Sequence, residues 1–156
     1  MNVLFICTAN SCRSILSEAL FNHLAPPGVR AVSAGSFPSG QLNPTALETL
    51  RAAGIATDGL ASKGLDAFAA APPDIVISVC DKAAGEPCPV YFGAAIKAHW
   101  GLADPSEVIG DPATRRAAFE ATLDRIRQRC TALLQLPLGE LSAEALKHEL
   151  DRLGAV

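Results

Sequence analysis

At 156 residues, the chain has the length of one domain and is long enough to bury a core without disulfide staples. A hydrophobic content of 49% and a mean hydropathy of +0.25 exclude a disordered chain, while no apolar run is long enough to span a bilayer. The formal charge of −3 argues against a protein that wraps nucleic acid, although a local basic pocket is compatible with it. We expect one domain over residues 1–156, with no nucleic-acid or membrane partner.

The first residues and the cysteines indicate where the protein works. Met1–Leu4 lacks the basic segment and the small-residue cleavage site of an export signal, so we expect a cytoplasmic protein. In that reducing compartment, the five cysteines are more typical of chemistry or of burial than of structural disulfides.

The chain begins with the pattern of a strand followed by a helix. Val3–Ile6 is a short, continuous apolar run, as expected of a strand buried on both faces. From Ser14 onward, apolar residues recur with helical spacing. The intervening loop, Cys7–Arg13, therefore joins the carboxyl end of a strand to the amino end of a helix.

This loop has the features of an oxyanion site. Free N–H groups and the positive end of the helix dipole converge at a helix amino terminus. Arg13 adds a planar charged fork, and Cys7 adds a thiol whose pKa we expect to fall in this field, where Ser14 can donate a hydrogen bond to the thiolate. The predicted binding loop consists of Thr8, Ala9, Asn10, Ser11, Cys12, Arg13 and Ser14.

A cysteine and an arginine at this spacing are a weak signal on their own. The alternative is a buried cysteine that ends a strand, followed by a surface arginine. The strand–loop–helix context favours the oxyanion site.

Further strands and helices alternate along the chain. Apolar runs predict strands over 29–33, 74–79 and 96–100, and a short helix over 63–70. This alternation predicts an α/β fold with right-handed crossovers, in which helices cover both faces of a parallel sheet.

Longer helices are predicted from caps and apolar stripes. Asn43–Pro44 and Asp111–Pro112 each have the form of a helix cap followed by a proline in the first turn. A last helix is predicted over 142–153, in a helical extension that comprises residues 136–156. The stripe predicted on the second of these helices consists of Phe119, Leu123, Ile126, Cys130 and Leu133.

Three reactive residues follow predicted strands. Cys7, Cys80 and Asp104 each lie at or just beyond a carboxyl end, where open parallel sheets bind their ligands. The alternative is that loops simply collect polar residues. Three reactive types at three strand ends favour a shared site.

Four short motifs resemble the low-molecular-weight protein tyrosine phosphatase superfamily and, more closely, the arsenate reductases built on that fold. The resemblance covers residues 1 to about 135, and its motifs are Cys7–Ser14, Ser33–Ser36, Val79–Lys82 and His99–Gly101. It implies an open four-stranded parallel sheet. It also implies Cys7 as the nucleophile, Arg13 as the oxyanion binder and Asp104 as the general acid.

Two further cysteines separate a reductase from a phosphatase. Reduction of arsenate to arsenite takes two electrons, which two thiols supply by forming a disulfide. The resemblance implies that Cys80 attacks Cys7, that Cys88 then attacks Cys80, and that thioredoxin reduces the resulting disulfide. Glutaredoxin with glutathione is the alternative reductant. The alternative, from the residues alone, is that Cys80 is a buried thiol at a strand end and that Cys88 is a loop thiol with no role.

Two other functions stay open at this point. The first is a phosphatase that hydrolyses phosphomonoesters through a phosphocysteine, although its relatives carry tyrosines near the general acid and Tyr91 is the one tyrosine here. The second is a thiol module that sequesters arsenite, which explains neither Arg13 nor Asp104. We expect a monomeric enzyme that needs no cofactor.

The remaining titratable residues indicate no metal centre. His23, His99 and His148 have no ligand spacing, and Cys130 lies on an apolar stripe. Cys12 is as well explained by packing as by an off-pathway disulfide with Cys7.

Some relatives bind potassium beside the loop. Asn10, Glu18 and Ser33 match three of the four ligand positions, but Lys63 stands at the fourth. An ammonium there repels or replaces the cation, so we expect no potassium requirement.

Overall fold

The sheet is open and fully parallel. The computed structural model describes residues 1–81 and 92–156. Its strands lie in the order β2-β1-β3-β4 and comprise β1 (Asn2–Cys7), β2 (Arg30–Gly35), β3 (Ile75–Ser78) and β4 (Ile96–His99). Residues 3–7 of β1 are all buried, so both faces of the central strand are covered. The predicted fold class, a four-stranded parallel α/β sheet flanked by helices, is confirmed.

Four α-helices flank this sheet within the described residues. They are α1 (Arg13–Leu24), α2 (Pro44–Ala52), α3 (Pro112–Leu134) and α4 (Ala143–Gly154). None of the described helices is both long enough and apolar enough to cross a membrane.

The predicted helix caps are present. The side chain of Asn43 accepts from the N–H of Ala46 at 3.0 Å, and that of Asp111 accepts from the N–H of Thr114 at 2.8 Å. Each satisfies a donor that has no partner within its helix, and the following proline presets the first turn.

The segment 63–70 differs from its prediction. It contains a single 3₁₀ turn, Leu65–Phe68, rather than an α-helix, and none of the four residues is buried. A second such turn, Pro105–Glu107, follows Asp104. With no buried face to support it, the first segment gains too little to extend beyond one turn.

The core lies between the sheet and the helices. All five residues of the predicted α3 stripe are buried, and so are Leu146, Leu150 and Leu153 of α4. Phe5 of β1 packs edge-on against Phe21 of α1 and also contacts Trp100, which follows β4. The extension therefore adds its apolar face to the core.

Strand register brings the site residues to one edge of the sheet. Cys7 pairs with Gly35 at the end of β2, and Ile6 pairs with Ser78 at the end of β3. Because parallel strands end at the same edge, the segments that follow β1, β2 and β3 meet there.

Candidate active site

The loop between β1 and α1 turns its carbonyl oxygens outward. Those of Thr8, Ala9 and Ser11 accept hydrogen bonds from surrounding segments, whose donors are the N–H groups of Phe37, Ser39 and Asn43 at 2.9, 3.0 and 2.9 Å. A trans peptide plane directs its N–H opposite to its C=O. The N–H groups of the residues that follow these carbonyls therefore point to the inner side, where the loop lines a cleft.

Asn10 holds the loop in this shape. Its φ of 49° is left-handed, a conformation that asparagine tolerates better than most residues. The fully buried side chain donates to the hydroxyls of Ser14 and Ser33 at 2.8 and 2.9 Å and accepts from the N–H of Lys63 at 2.9 Å. The side-chain amide of Asn10 thus hydrogen-bonds to three separate segments of the chain.

Lys63 supplies the positive charge next to this network. Its ammonium lies 3.8 Å from the carboxylate of Glu18, which also accepts from the hydroxyl of Ser33 at 2.6 Å. An ammonium therefore stands beside Glu18, one of the three side chains that match potassium ligands. The expected absence of a potassium requirement stays a prediction, which the position of the Lys63 ammonium supports.

Gly35 lets β2 approach the loop. A Cβ at this position would collide with the carbonyl oxygen of Thr8 and press against Asn10. The close approach of the two backbones therefore requires glycine.

Arg13 is held from the far side of the cleft. Its Nη1 donates to the carbonyl oxygen of Leu102 at 2.9 Å, and its Nη2 lies 3.6 Å from Oδ2 of Asp104. Oδ1 of Asp104 accepts from the N–H and the hydroxyl of Ser106, at 2.9 and 2.6 Å. The guanidinium is thus oriented before an anion arrives.

Cys7 and Cys80 are in contact at the base of the cleft. Their thiols form a side-chain hydrogen bond, and the Thr8 hydroxyl lies 3.6 Å from Cys80 Sγ. Both cysteines are buried. The two sulfurs are therefore placed for disulfide formation with each other.

The pKa of Cys7 differs from its expected direction. The hydrogen bond with Cys80 and burial raise this pKa, and they outweigh Arg13 and the N–H of Thr8, which lower it. The side-chain partner of Cys7 is Cys80 and not Ser14, whose hydroxyl accepts from Asn10. The expected fall was wrong for this conformation because the sequence does not show the neighbouring thiol.

This cause predicts the effect of removing Cys80. In a Cys80→Ala variant, the pKa of Cys7 should fall, because the hydrogen bond with Cys80 is the largest of the causes that raise it. Half-maximal alkylation of Cys7, followed by peptide mapping across a pH series, should move to lower pH. Cys130→Ala is the control, because Cys130 is buried in α3. An unchanged or higher midpoint in Cys80→Ala would contradict the assignment.

The cleft brings most of the predicted site residues together. It has a volume of about 490 Å³. The predicted residues in its lining are Cys7, Thr8, Ala9, Ser11, Cys12, Arg13, Cys80 and Asp104, whereas Asn10 and Ser14 lie behind the loop in its hydrogen-bond network. Cys88 and Tyr91 lie outside the described residues.

Several residues of the site were not predicted. The carbonyl of Leu102 and the hydroxyl of Ser106 orient Arg13 and Asp104, and Asp81 and Glu107 also line the cleft. A backbone carbonyl has no sequence signature. The contact with Ser106 had one, because an aspartate side chain commonly accepts a hydrogen bond from the N–H two residues on.

The other cysteines and histidines have separate environments. Cys130 is fully buried in α3, as predicted. Burial and Asp104 raise the pKa of Cys12 to about 12, against the influence of Arg13. His99 lies between Asp81, at 2.9 Å, and the hydroxyl of Ser78, at 2.8 Å. Within the ranges 1–81 and 92–156, no cluster of three or more metal-ligating side chains is found.

Comparison with known proteins connects this geometry to a family. Residues 2–151 match the family model described as low molecular weight phosphotyrosine protein phosphatase. An arsenate reductase of Bacillus licheniformis is 33% identical over 127 residues, which is 81% of this chain and 90% of the relative.

Solved structures agree with that match. One described as an arsenate reductase in the phosphate binding state has a TM-score of 0.70 and 28% identity, with 85% of this chain and 95% of that chain covered. A thioredoxin-dependent arsenate reductase of Corynebacterium glutamicum has a TM-score of 0.61 and 32% identity. There the alignment covers 81% of this chain but 58% of the longer relative.

Proposed function

Because the chain belongs to the low molecular weight phosphotyrosine protein phosphatase family, we propose that its cleft binds a tetrahedral oxyanion. We further propose that the protein reduces arsenate to arsenite. The contact between Cys7 and Cys80 carries this proposal. A phosphatase of this type needs one thiol, whereas reduction of arsenate needs two electrons. The relatives of Bacillus licheniformis and Corynebacterium glutamicum, both named arsenate reductases, support the same choice.

The first step forms a bond between sulfur and arsenic. Cys7 loses its proton to an oxygen of the entering arsenate, and the resulting thiolate attacks arsenic, while Arg13 and the inward N–H groups of the loop hold the oxygens. Asp104 protonates the departing oxygen, which leaves as water. Arsenic is still in its oxidised state in this adduct, so no electron has yet been transferred.

The second step transfers both electrons. The Cys80 sulfur attacks Cys7 as the Cys80 proton passes to an oxygen of the departing arsenite, and the electron pair of the sulfur–arsenic bond stays on arsenic. Arsenite leaves, and the two cysteines are oxidised to one disulfide. The hydrogen bond between the two thiols supports this step, because it places the second sulfur next to the first.

Recycling requires an external dithiol. Cys88 attacks Cys80, releases the Cys7 thiolate and moves the disulfide to the 80–88 pair, which thioredoxin reduces. The thioredoxin dependence named for the Corynebacterium glutamicum relative supports this reductant over glutaredoxin with glutathione. A thiol relay also needs a reducing compartment, which supports a cytoplasmic location. All relay groups come from one chain, so a monomer suffices.

The test is arsenate-dependent consumption of NADPH in the presence of thioredoxin and thioredoxin reductase. We expect oxidation of one NADPH for each arsenite formed, with phosphate as a competitive inhibitor. No oxidation with this system, and none with glutathione and glutaredoxin, would rule out the reductase. Hydrolysis of p-nitrophenyl phosphate without arsenate reduction would establish the phosphatase instead.

The role of Cys88 gives a separate prediction. Cys88→Ser should release one arsenite per enzyme, because Cys7 and Cys80 supply both electrons, and should then stop. Rapid-quench measurement of arsenite, with and without thioredoxin, checks this. The control is Cys130→Ala, which should turn over repeatedly. Steady turnover of Cys88→Ser with thioredoxin would show that the relay order is wrong.

A further inference from the structure

Arg129 of α3 is a buried charge outside the cleft. The residue is 5% exposed. Its Nη1 donates to the carbonyl of Gly101 at 3.1 Å, and its Nη2 donates to the main-chain oxygens of Gly154 and Val156 at 3.4 and 2.9 Å. Its Nε is buried with no hydrogen-bond partner in the described structure. The guanidinium thus joins α3, the carboxyl end of α4 and the segment after β4.

This arrangement is costly for stability alone. Burying a guanidinium loses hydration, and among the described residues Arg129 has no carboxylate side chain within ion-pair distance. An apolar side chain of similar length would fill the same space without leaving Nε unpaired. The polar contacts that offset this loss are all to main-chain oxygens, among them that of Val156, the last residue of the chain, so the residue is suited to fixing a backbone position.

The carbonyl of Gly101 begins the segment that orients Arg13. The next residue, Leu102, donates its N–H to Val79 at 3.0 Å and accepts from Arg13 through its carbonyl at 2.9 Å. Asp104 follows two residues later, 3.6 Å from the same guanidinium. One end of this four-residue segment is therefore held by Arg129, while the other end holds the oxyanion-binding arginine.

The extension contacts the two residues that precede this segment, His99 and Trp100. Nε1 of Trp100 donates to the carbonyl of Leu150 in α4 at 2.9 Å. Gly154 packs so closely on the carbonyl of His99 that a Cβ there would collide with it. Arg129 binds both Gly154 and Gly101, so it couples α4 to the cleft.

We propose that Arg129 is a positioning residue: with α4, it sets the position of the Leu102 carbonyl and thereby the orientation of the Arg13 fork in the cleft. It touches no substrate. The proposal rests on the proposed function, because it assumes that the cleft binds an oxyanion; the oxyanion used in its main test is inorganic phosphate.

The test measures phosphate binding by calorimetry. Arg129→Met should raise the Kd for phosphate and the KM for arsenate by about 10- to 100-fold, the size of effect seen when groups that orient metal ligands are removed. Arg129→Lys should recover part of the affinity, because an ammonium can still donate to Gly101. The matched control is Arg125→Gln, since Arg125 lies one turn away and, within residues 1–81 and 92–156, hydrogen-bonds through its side chain to Val156 alone, at 3.4 Å.

A double-mutant cycle separates positioning from general loosening. In an Arg13→Lys background, which lacks the planar fork, Arg129→Met should cost little further affinity. An equal loss in both backgrounds, or a phosphate Kd within about twofold of the parent for Arg129→Met, would overturn the proposal. If Arg129→Met does not fold, as judged by circular dichroism, the same cycle with Arg129→Lys decides. An unsubstituted protein that binds no phosphate contradicts the proposed function instead.

Discussion

We expect Cys7→Ser to abolish arsenate reduction and to leave oxyanion binding largely intact. The hydroxyl of serine is a much weaker nucleophile at neutral pH and cannot form a disulfide with Cys80. The loop is held by Asn10 and by its outward carbonyl bonds, none of which involves the sulfur. Calorimetry with phosphate, beside single-turnover release of arsenite, separates the two properties.

The matched control for this substitution is Cys12→Ser, a change of the same size in the same loop. It should retain reduction, because Cys12 has no part in the relay. A Cys7→Ser protein that still reduces arsenate would contradict the role of Cys7 as the nucleophile. Loss of phosphate binding in Cys7→Ser would instead show that oxyanion binding by the loop between β1 and α1 depends on the sulfur.

The second large effect concerns the general acid. Asp104→Asn should lower the rate of the chemical step by about 10²- to 10⁴-fold, the usual contribution of general acid–base catalysis, with little change in phosphate affinity. Asparagine keeps an oxygen that can accept from Ser106, so the turn at Pro105–Glu107 is preserved. Single-turnover kinetics at saturating arsenate provide the measurement.

Two comparison variants make this prediction specific. Glu107→Gln removes another carboxylate from the same cleft and should leave the rate nearly unchanged. Arg13→Ala should weaken phosphate binding as well as the rate, because it removes the charged fork that holds the oxygens. If Asp104→Asn behaved like Glu107→Gln, the departing oxygen would have to be protonated by another group.

Local patterns determined most of the elements and the core of the site. The apolar run of β1, the caps Asn43 and Asp111 and the stripe on α3 each depend on residues close together in the chain, and each is present in the structure. The loop between β1 and α1 was predicted for the same reason, since a strand end and a helix start define it. By contrast, the segment 63–70 failed to form an α-helix because its length depended on burial that it does not have.

Tertiary structure alone decided how the site residues affect one another. The fall expected for the pKa of Cys7 assumed a helix terminus and an arginine, but the fold adds burial and the thiol of Cys80, 73 positions away in sequence, and these reverse the direction. The placement of Arg13 depends on the carbonyl of Leu102, and the position of that segment depends on Arg129. Residue identity determines local propensity, whereas burial and main-chain contacts between distant segments exist only after packing, so a sequence read alone does not contain them.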